Sequence, residues 1–373
     1  MKIKTSKRAL LPFVEPISVP KDTEDPVVTV TAKNGEVSAT ITHPQFTLSF
    51  PVEAEIEREG IASWPFSDFR KALLQTKVRT PLELRNGRIV QEREFLLPAA
   101  DPYPALSGTM FPDITLRTKT LAPLFAPLGL FPQKDPLRPW RNQIRFEKRG
   151  DGLRFVQCNG VHLASLYIGG DFASCVEESG VMTPFAVSVL ERLLAQFPSA
   201  ILEENDGVLG FLGPKGKKEL LIRFSPIGPD FPRIEIPNLP AVSQFHLNPV
   251  GKEPFEKALL ERMREYRDRH LLEYPDLLLR FGVRPGSGGE YTVTAQLGHE
   301  GAPWESVLET TSPFLHGAPP AGLVLPAHDT VKALEAFETL TAFKWTERGV
   351  LLESVDFEDG VRHAAVFLHG MTA

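Results

Sequence analysis

Three times in this chain a proline opens an amphipathic helix and a hairpin with a glycine turn follows it, so a fold for the chain must hold three similar units. The first copy is Trp64-Pro65-Phe66-Ser67-Asp68-Phe69-Arg70-Lys71-Ala72-Leu73-Leu74. The second runs from Met182 through Pro184 to Leu194, and the third from Leu325 through Pro326 to Phe337. Proline suits a helix entry because its fixed φ is helical and its missing N–H has no partner to lose there, and the apolar residues recur every three or four positions. The stretches after the helices also match. Leu82 to Val90 around Asn86-Gly87, Ile201 to Leu209 around Asp206-Gly207, and Phe343 to Leu352 around Arg348-Gly349 each read strand, glycine turn, strand. The three prolines stand roughly 120 and 140 residues apart, close to the size of a small domain.

Hairpins are predicted ahead of these helices too. They are Val27–Ala32 with Glu36–Ile41 around Asn34-Gly35, Gln143–Phe155 around Gly150-Asp151-Gly152, and Leu277–Ala295 around Gly286-Ser287-Gly288-Gly289. A short helix over Thr5–Ile17, limited by Pro12, and a long one over Pro254–Leu272 complete the pattern. Two proline-rich passages, Leu97–Leu106 and Ile227–Pro240, read as connections, because proline removes a ladder donor and holds the backbone extended. The fold class is α+β, with units at 1–112, 113–240 and 241–373.

Composition narrows the function. A chain of 373 residues, 42% hydrophobic, buries ample core, and a net charge of −6 argues against a protein that simply coats nucleic acid. The two cysteines, Cys158 and Cys175, form neither a disulfide framework nor a zinc site. The start, Met1-Lys2-Ile3-Lys4-Thr5, lacks an apolar signal core, and no apolar run reaches the ~20 residues of a spanning helix. The expected setting is the reducing cytosol, with no membrane, cofactor or metal. Enzyme signatures fail in turn. Gly210 to Lys218 has phosphate-loop glycines at the wrong interval and no Ser/Thr after the lysine, the histidines make no two-histidine helical metal pair, and no nucleophile elbow is present.

Ordered phrases along the chain resemble the bacterial replicative sliding clamp, the beta subunit of DNA polymerase III. Leu97-Pro98-Ala99-Ala100-Asp101 with Tyr103-Pro104 is similar to the family's Leu-Pro-Ala-Ala-Asp-Phe-Pro. Cys158-Asn159-Gly160-Val161-His162-Leu163-Ala164 resembles its Thr-Asp-Gly-His-Arg-Leu-Ala, and Asp230-Phe231-Pro232 stands where a Gly-Arg-Phe-Pro phrase closes the second domain. The resemblance implies three clamp domains, helices inside and antiparallel sheets outside, and two chains closing head to tail into a ring on double-stranded DNA. Such a ring tethers polymerases and clamp-loader subunits without catalysis of its own. A clamp-fold adaptor that binds proteins only, and a hydrolase with a site assembled across units, remain as rival readings.

The resemblance also implies site residues. Phosphate-facing cations would be Lys4, Lys7, Arg8, Lys21, Arg70, Lys71, Arg117 and Lys119, the alternative for each being a solvated face. The loop Gln133–Asn142 would touch DNA through Lys134, Arg138, Trp140 and Arg141, the alternative being a tryptophan packed under the domain. A pocket for an apolar peptide would use Cys158, Gly160, His162, Leu163 and Pro232 with the last strand's Phe367, Leu368, His369 and Met371. The family's arginine is replaced by His162 and its terminal Arg-Leu by Thr372-Ala373, which removes permanent cations from the rim. The joint between copies would set Glu92 and Glu94 against Arg267, Arg269, Leu271 and Leu272, with an ionic character.

Overall fold

The computed structural model describes residues 1–106, 115–116, 122–169, 179–194, 200–205, 207–212, 219–228, 231–232, 243–245, 250–312, 315–316, 323–337, 340, 342–346, 348–356 and 362–372. The chain divides into two compact units. One holds Met1–Ala122, Arg145–Asp151 and Asp171–Ile227, and the other Pro123–Ile144, Gly152–Gly170 and Gly228–Ala373.

All three proline-led helices form: α2 over Phe66–Gln75, α3 over Pro184–Leu194 and α5 over Ala327–Glu335. Two further helices among the described residues are α1, Lys7–Val14, and α4, Phe255–His270. α2 buries Phe66, Phe69, Ala72 and Leu73, the positions its apolar spacing predicts. The hairpins after the proline-led helices pair in register, Leu84 with Ile89, Glu203 with Gly210 and Lys344 with Leu351. In the first unit, Val27–Lys33 turns into Glu36–His43 through Asn34 (φ 53°) and Gly35 (φ 78°), the two left-handed residues of a type I′ turn that only such a pair adopts at low cost.

In the first unit eight strands run in the order Thr115–Leu116, Ala200–Asn205, Val208–Leu212, Glu219–Arg223, Phe46–Pro51, Glu36–His43, Val27–Lys33, Gly60–Pro65. A five-stranded sheet runs Ala54–Arg58, Lys2–Thr5, Leu82–Arg85, Arg88–Val90, Glu94–Leu96. In the second unit, Gly152–Cys158, Leu163–Ile168, Arg362–His369, Gly349–Asp356 and Ala342–Thr346 lie side by side, and a separate sheet runs Glu305–Ser312, Tyr291–Gly298, Leu278–Pro285, Leu323–Pro326, Met371–Thr372. The middle third of the sequence is thus shared: its strand Glu219–Arg223 pairs with Phe46–Pro51, and its strand Leu163–Ile168 with Arg362–His369.

The N-terminus differs from the expected single helix. Lys2–Thr5 is a strand between Ala54–Arg58 and Leu82–Arg85, because Ile3, fully buried, faces Ile56 and Leu84 there. Only Lys7–Val14 is helical. Pro12 removes one N–H from its ladder, and the helix ends with Glu15 N–H donating to Leu11 O at 2.9 Å.

Candidate partner-peptide site and nucleic-acid interface

The strand Gly152–Cys158 returns as Leu163–Ile168 through four residues that expose one apolar tip. Asn159 Oδ1 accepts from the N–H groups of Val161 (2.9 Å) and His162 (2.8 Å), and Asn159 N–H donates to His162 O at 3.2 Å. That side chain replaces the turn's missing backbone acceptors. Gly160 sits at φ 92°, a conformation that favours glycine, and a Cβ there would lie 2.9 Å from Arg141 Nη2, so the end of that side chain would have to shift. Gly160 N–H donates to Cys158 Sγ at 3.3 Å, and burial pushes the Cys158 thiol pKa up. Val161 is left 53% exposed at the tip.

His162 turns inward. Its Nε2 lies 3.0 Å from Asp329 Oδ2, its Nδ1 accepts the N–H of His369 at 3.2 Å, and its ring tilts against Phe131 with centroids 4.9 Å apart. An amide N–H needs a lone pair to receive it, so Nδ1 is bare and the proton sits on Nε2, donated to the carboxylate. Burial holds the imidazole below its ordinary value and outweighs the opposite pull of Asp329, while His369 adds to the lowering. Asp329 stands in the first turn of α5, where the helix N-terminus favours a negative charge.

Beside this turn Leu163 faces Phe367 across the sheet, and both are buried with Val156, Leu351 packing on the same cluster. Strand alternation sends Leu368, only 1% exposed, to the opposite face, so Leu368 is core and not pocket wall. His369 is exposed, and after it Met371 pairs with Val324 through the backbone. Pro232 is half-buried next to Phe231. Of the expected pocket, Cys158, Gly160, His162, Leu163, Phe367 and His369 are brought together. His162 is a buried link between strand and helix rather than a rim donor, because its two ring nitrogens are already engaged. Asp329, 167 positions away in sequence, completes the group.

Solved structures show which fold the chain has. The chain matches a DNA polymerase III beta subunit from Thermotoga maritima with a TM-score of 0.69 at 15% identity, over 100% of this chain and 99% of that one. It matches the beta subunit from the DNA polymerase of Streptococcus pyogenes with a TM-score of 0.69 at 12% identity, and the DNA polymerase sliding clamp from Caulobacter crescentus with 0.64 at 15%, each over 100% of both chains. The chain has the sliding-clamp fold. No family model and no curated protein matches the sequence.

The loop Gln133–Asn142 is divided between inside and outside. Arg141 points in: its Nη1 lies 3.2 Å from Asp135 Oδ2, its guanidinium lies 5.6 Å from the Trp140 ring centre, and its carbonyl accepts from Gln157 Nε2 at 3.2 Å. Trp140 is half-buried, edge-on to Phe231 at 6.5 Å. Lys134 and Arg138 are exposed. The aromatic and Arg141 are therefore packing elements, and two outward cations remain of the expected four residues.

Other expected cations are also redistributed. Lys7 is buried, its Nζ donating to Leu74 O (2.7 Å) and Thr76 O (2.9 Å), where it caps the C-terminus of α2. Lys4 pairs with Glu57, which Lys2 also reaches at 2.5 Å, and the two lysines pull the Glu57 carboxyl down to about 2. Arg70 Nη2 donates to Glu15 O at 3.1 Å. Arg8, Lys21 and Lys71 are exposed, while Arg117 and Lys119 lie outside the described residues.

The charges expected at a joint between clamp copies are each paired within the chain. Glu92 holds Lys77 at 2.7 Å, Glu94 holds Arg88 at 2.5 Å, and Arg267 holds Asp268 at 2.7 Å while stacking on Tyr274. Arg269 holds Glu305 at 2.9 Å. What stands out instead is apolar: Leu96, 77% exposed on the outermost strand Glu94–Leu96, and Leu271, 92% exposed in a left-handed conformation after α4. Leu272 beside it is half-buried. Leu96 lies within the segment Gln91–Leu97 expected at the joint, but its exposure was not legible, since the sequence does not say which face of a short edge strand is left uncovered.

Proposed function

We propose that the chain is a sliding clamp: two copies close head to tail around duplex DNA and tether polymerase and clamp-loader subunits through the turn Asn159–His162 and the last strand. The observation that carries this reading is the match to clamp structures over the full length of both chains. A ring holds DNA by topology, so diffuse cations that contact phosphate without reading bases suffice, and Arg8, Lys21, Lys71, Lys134 and Arg138 take that part. The three units of the sequence correspond to three clamp domains, and the protein works as a tether without catalysis. The joint centres on Leu96 and Leu271 rather than on ion pairs, because removing two exposed leucines from water is favourable and the nearby charges are already paired. A partner peptide seats apolar side chains against Val161 and the Leu163–Phe367 cluster.

Sedimentation of the purified chain tests closure. A species near twice 41.4 kDa is expected, dissociating on Leu96→Asp and changing little with salt. A monomer at every concentration would favour an adaptor of the same fold that does not encircle DNA.

A further inference from the structure

We propose that His162 is a protonation latch for the end of the last strand: with Nδ1 bare it accepts the His369 N–H, and a proton taken from solvent onto Nδ1 breaks that bond and loosens the strand at His369, ahead of the bonds that Gly370 and 371–372 make to their own partners. The inference rests on the reading of this region as the partner-peptide site and assigns it a regulator. At 3.2 Å, the contact between Nδ1 and the His369 N–H is possible in one protonation state only, since a protonated Nδ1 would set two donors face to face. The other nitrogen offers no escape by tautomer exchange, because Asp329 Oδ2 at 3.0 Å holds the Nε2 proton. Release has a consequence because this amide lies at the point where Arg362–His369 passes into Met371–Thr372, which pairs with Leu323–Pro326.

The groups around His162 set the sign. From α5 comes the Asp329 carboxylate, from the last strand His369, from the segment ahead of Ile144 the uncharged ring of Phe131 and the Arg141–Asp135 pair, and from its own turn the Cys158 thiol. Burial and His369 oppose the second proton and Asp329 favours it, with burial the largest, so the attached ring binds it less readily than the released ring at its ordinary 6.5. Falling pH therefore favours release. Opening grows about tenfold per pH unit below 6.5 and levels off once the attached ring is itself protonated.

Amide hydrogen exchange of the full chain, read as the protection factor of the His369 N–H from pH 8 to pH 5, tests the latch without any ligand. Wild type is expected to lose protection about tenfold per pH unit below 6.5, while Val366 in the same strand keeps its protection. His162→Asn places an amide oxygen where Nδ1 was and should give a flat profile. Asp329→Asn keeps an acceptor for Nε2 but removes the charge that favours the proton on the attached ring, so the onset should stay at 6.5 while the loss of protection continues to lower pH before levelling off, which serves also if the first variant does not fold. A flat wild-type profile, or a transition that persists in His162→Asn, overturns the latch. A labelled peptide with Leu and Phe anchors, titrated at pH 8 and pH 5.5, should change affinity in step with His369 protection. An intact amide transition with no peptide binding at either pH would overturn the pocket reading alone.

Discussion

Two buried histidines occupy matching places in the two units, and their surroundings differ. His43 closes the strand Glu36–His43 just before Phe46–Pro51, which pairs with Glu219–Arg223, whereas His162 stands just before Leu163–Ile168, which pairs with Arg362–His369. Each ring accepts a backbone N–H on Nδ1 at 3.2 Å, from Gln45 and from His369 respectively. His43 is then enclosed by rings, with Phe46, Tyr103 and Phe185 centred 5.4, 6.0 and 5.3 Å away. His162 meets one ring, a carboxylate and a strand from the far end of the chain, and leaves Val161 exposed beside it. Aromatic filling turns the first turn into core, while polar tethering leaves the second with an open apolar tip. The same local device is thus closed core in one unit and an open turn, the candidate site, in the other.

The sharpest way to break the comparison is to empty the sealed side. Phe185→Ala should cost about 3–5 kcal/mol in denaturant unfolding and leave peptide affinity unchanged; a loss of affinity in a variant that remains folded would mean the two turns are not separate in function. On the open side Gly160→Ala meets both the positive φ and Arg141, and should cost about 1–3 kcal/mol together with peptide binding. Leu163→Asp should abolish peptide binding at a comparable or larger cost in stability, and tight binding that survives it would remove the pocket from this turn.

Both histidines respond to acid in the same direction. Burial is the largest influence on each and lowers its pKa; Glu24 and Asp25 oppose it at His43 and Asp329 at His162. Because the folded values lie below the ordinary 6.5, the stability they contribute is present above that pH and is lost as pH falls toward the folded values. Unfolding free energy measured from pH 8 to pH 5 should therefore decline below 6.5, with a shallower decline in His43→Phe. An unaltered slope in that variant would leave His43 out of the effect. The smallest effect concerns the loop. Charge reversal of Lys134 and Arg138 should lower the salt dependence of DNA retention by about one log unit per lost phosphate contact, whereas Arg141→Ala should lower thermal stability first.

Local signals made much of the fold legible. Proline entries, three- and four-residue spacing and glycine turns are short-range, and they placed α2, α3, α5 and the hairpins that follow them. The strand Lys2–Thr5 was missed because four residues with lysine at alternate places carry little apolar pattern until Ile3 finds Ile56 and Leu84. The turn of the candidate site was legible by resemblance, but Asp329 was not, since nothing local in Ala327-His328-Asp329-Thr330 points to a histidine so far away. Lys7 and Arg141 show the converse limit. A sequence counts charges without revealing that one caps a helix and the other fills the space over a glycine.

Topological retention tests the central claim most directly. The purified chain is incubated with closed-circular duplex, passed through gel filtration, and followed before and after a single restriction cut. A ring predicts co-elution with the circle and release on linearisation, with no dependence on sequence, metal or nucleotide. Equal retention on circular and linear DNA, or none on either from a chain that is dimeric in solution, would contradict it.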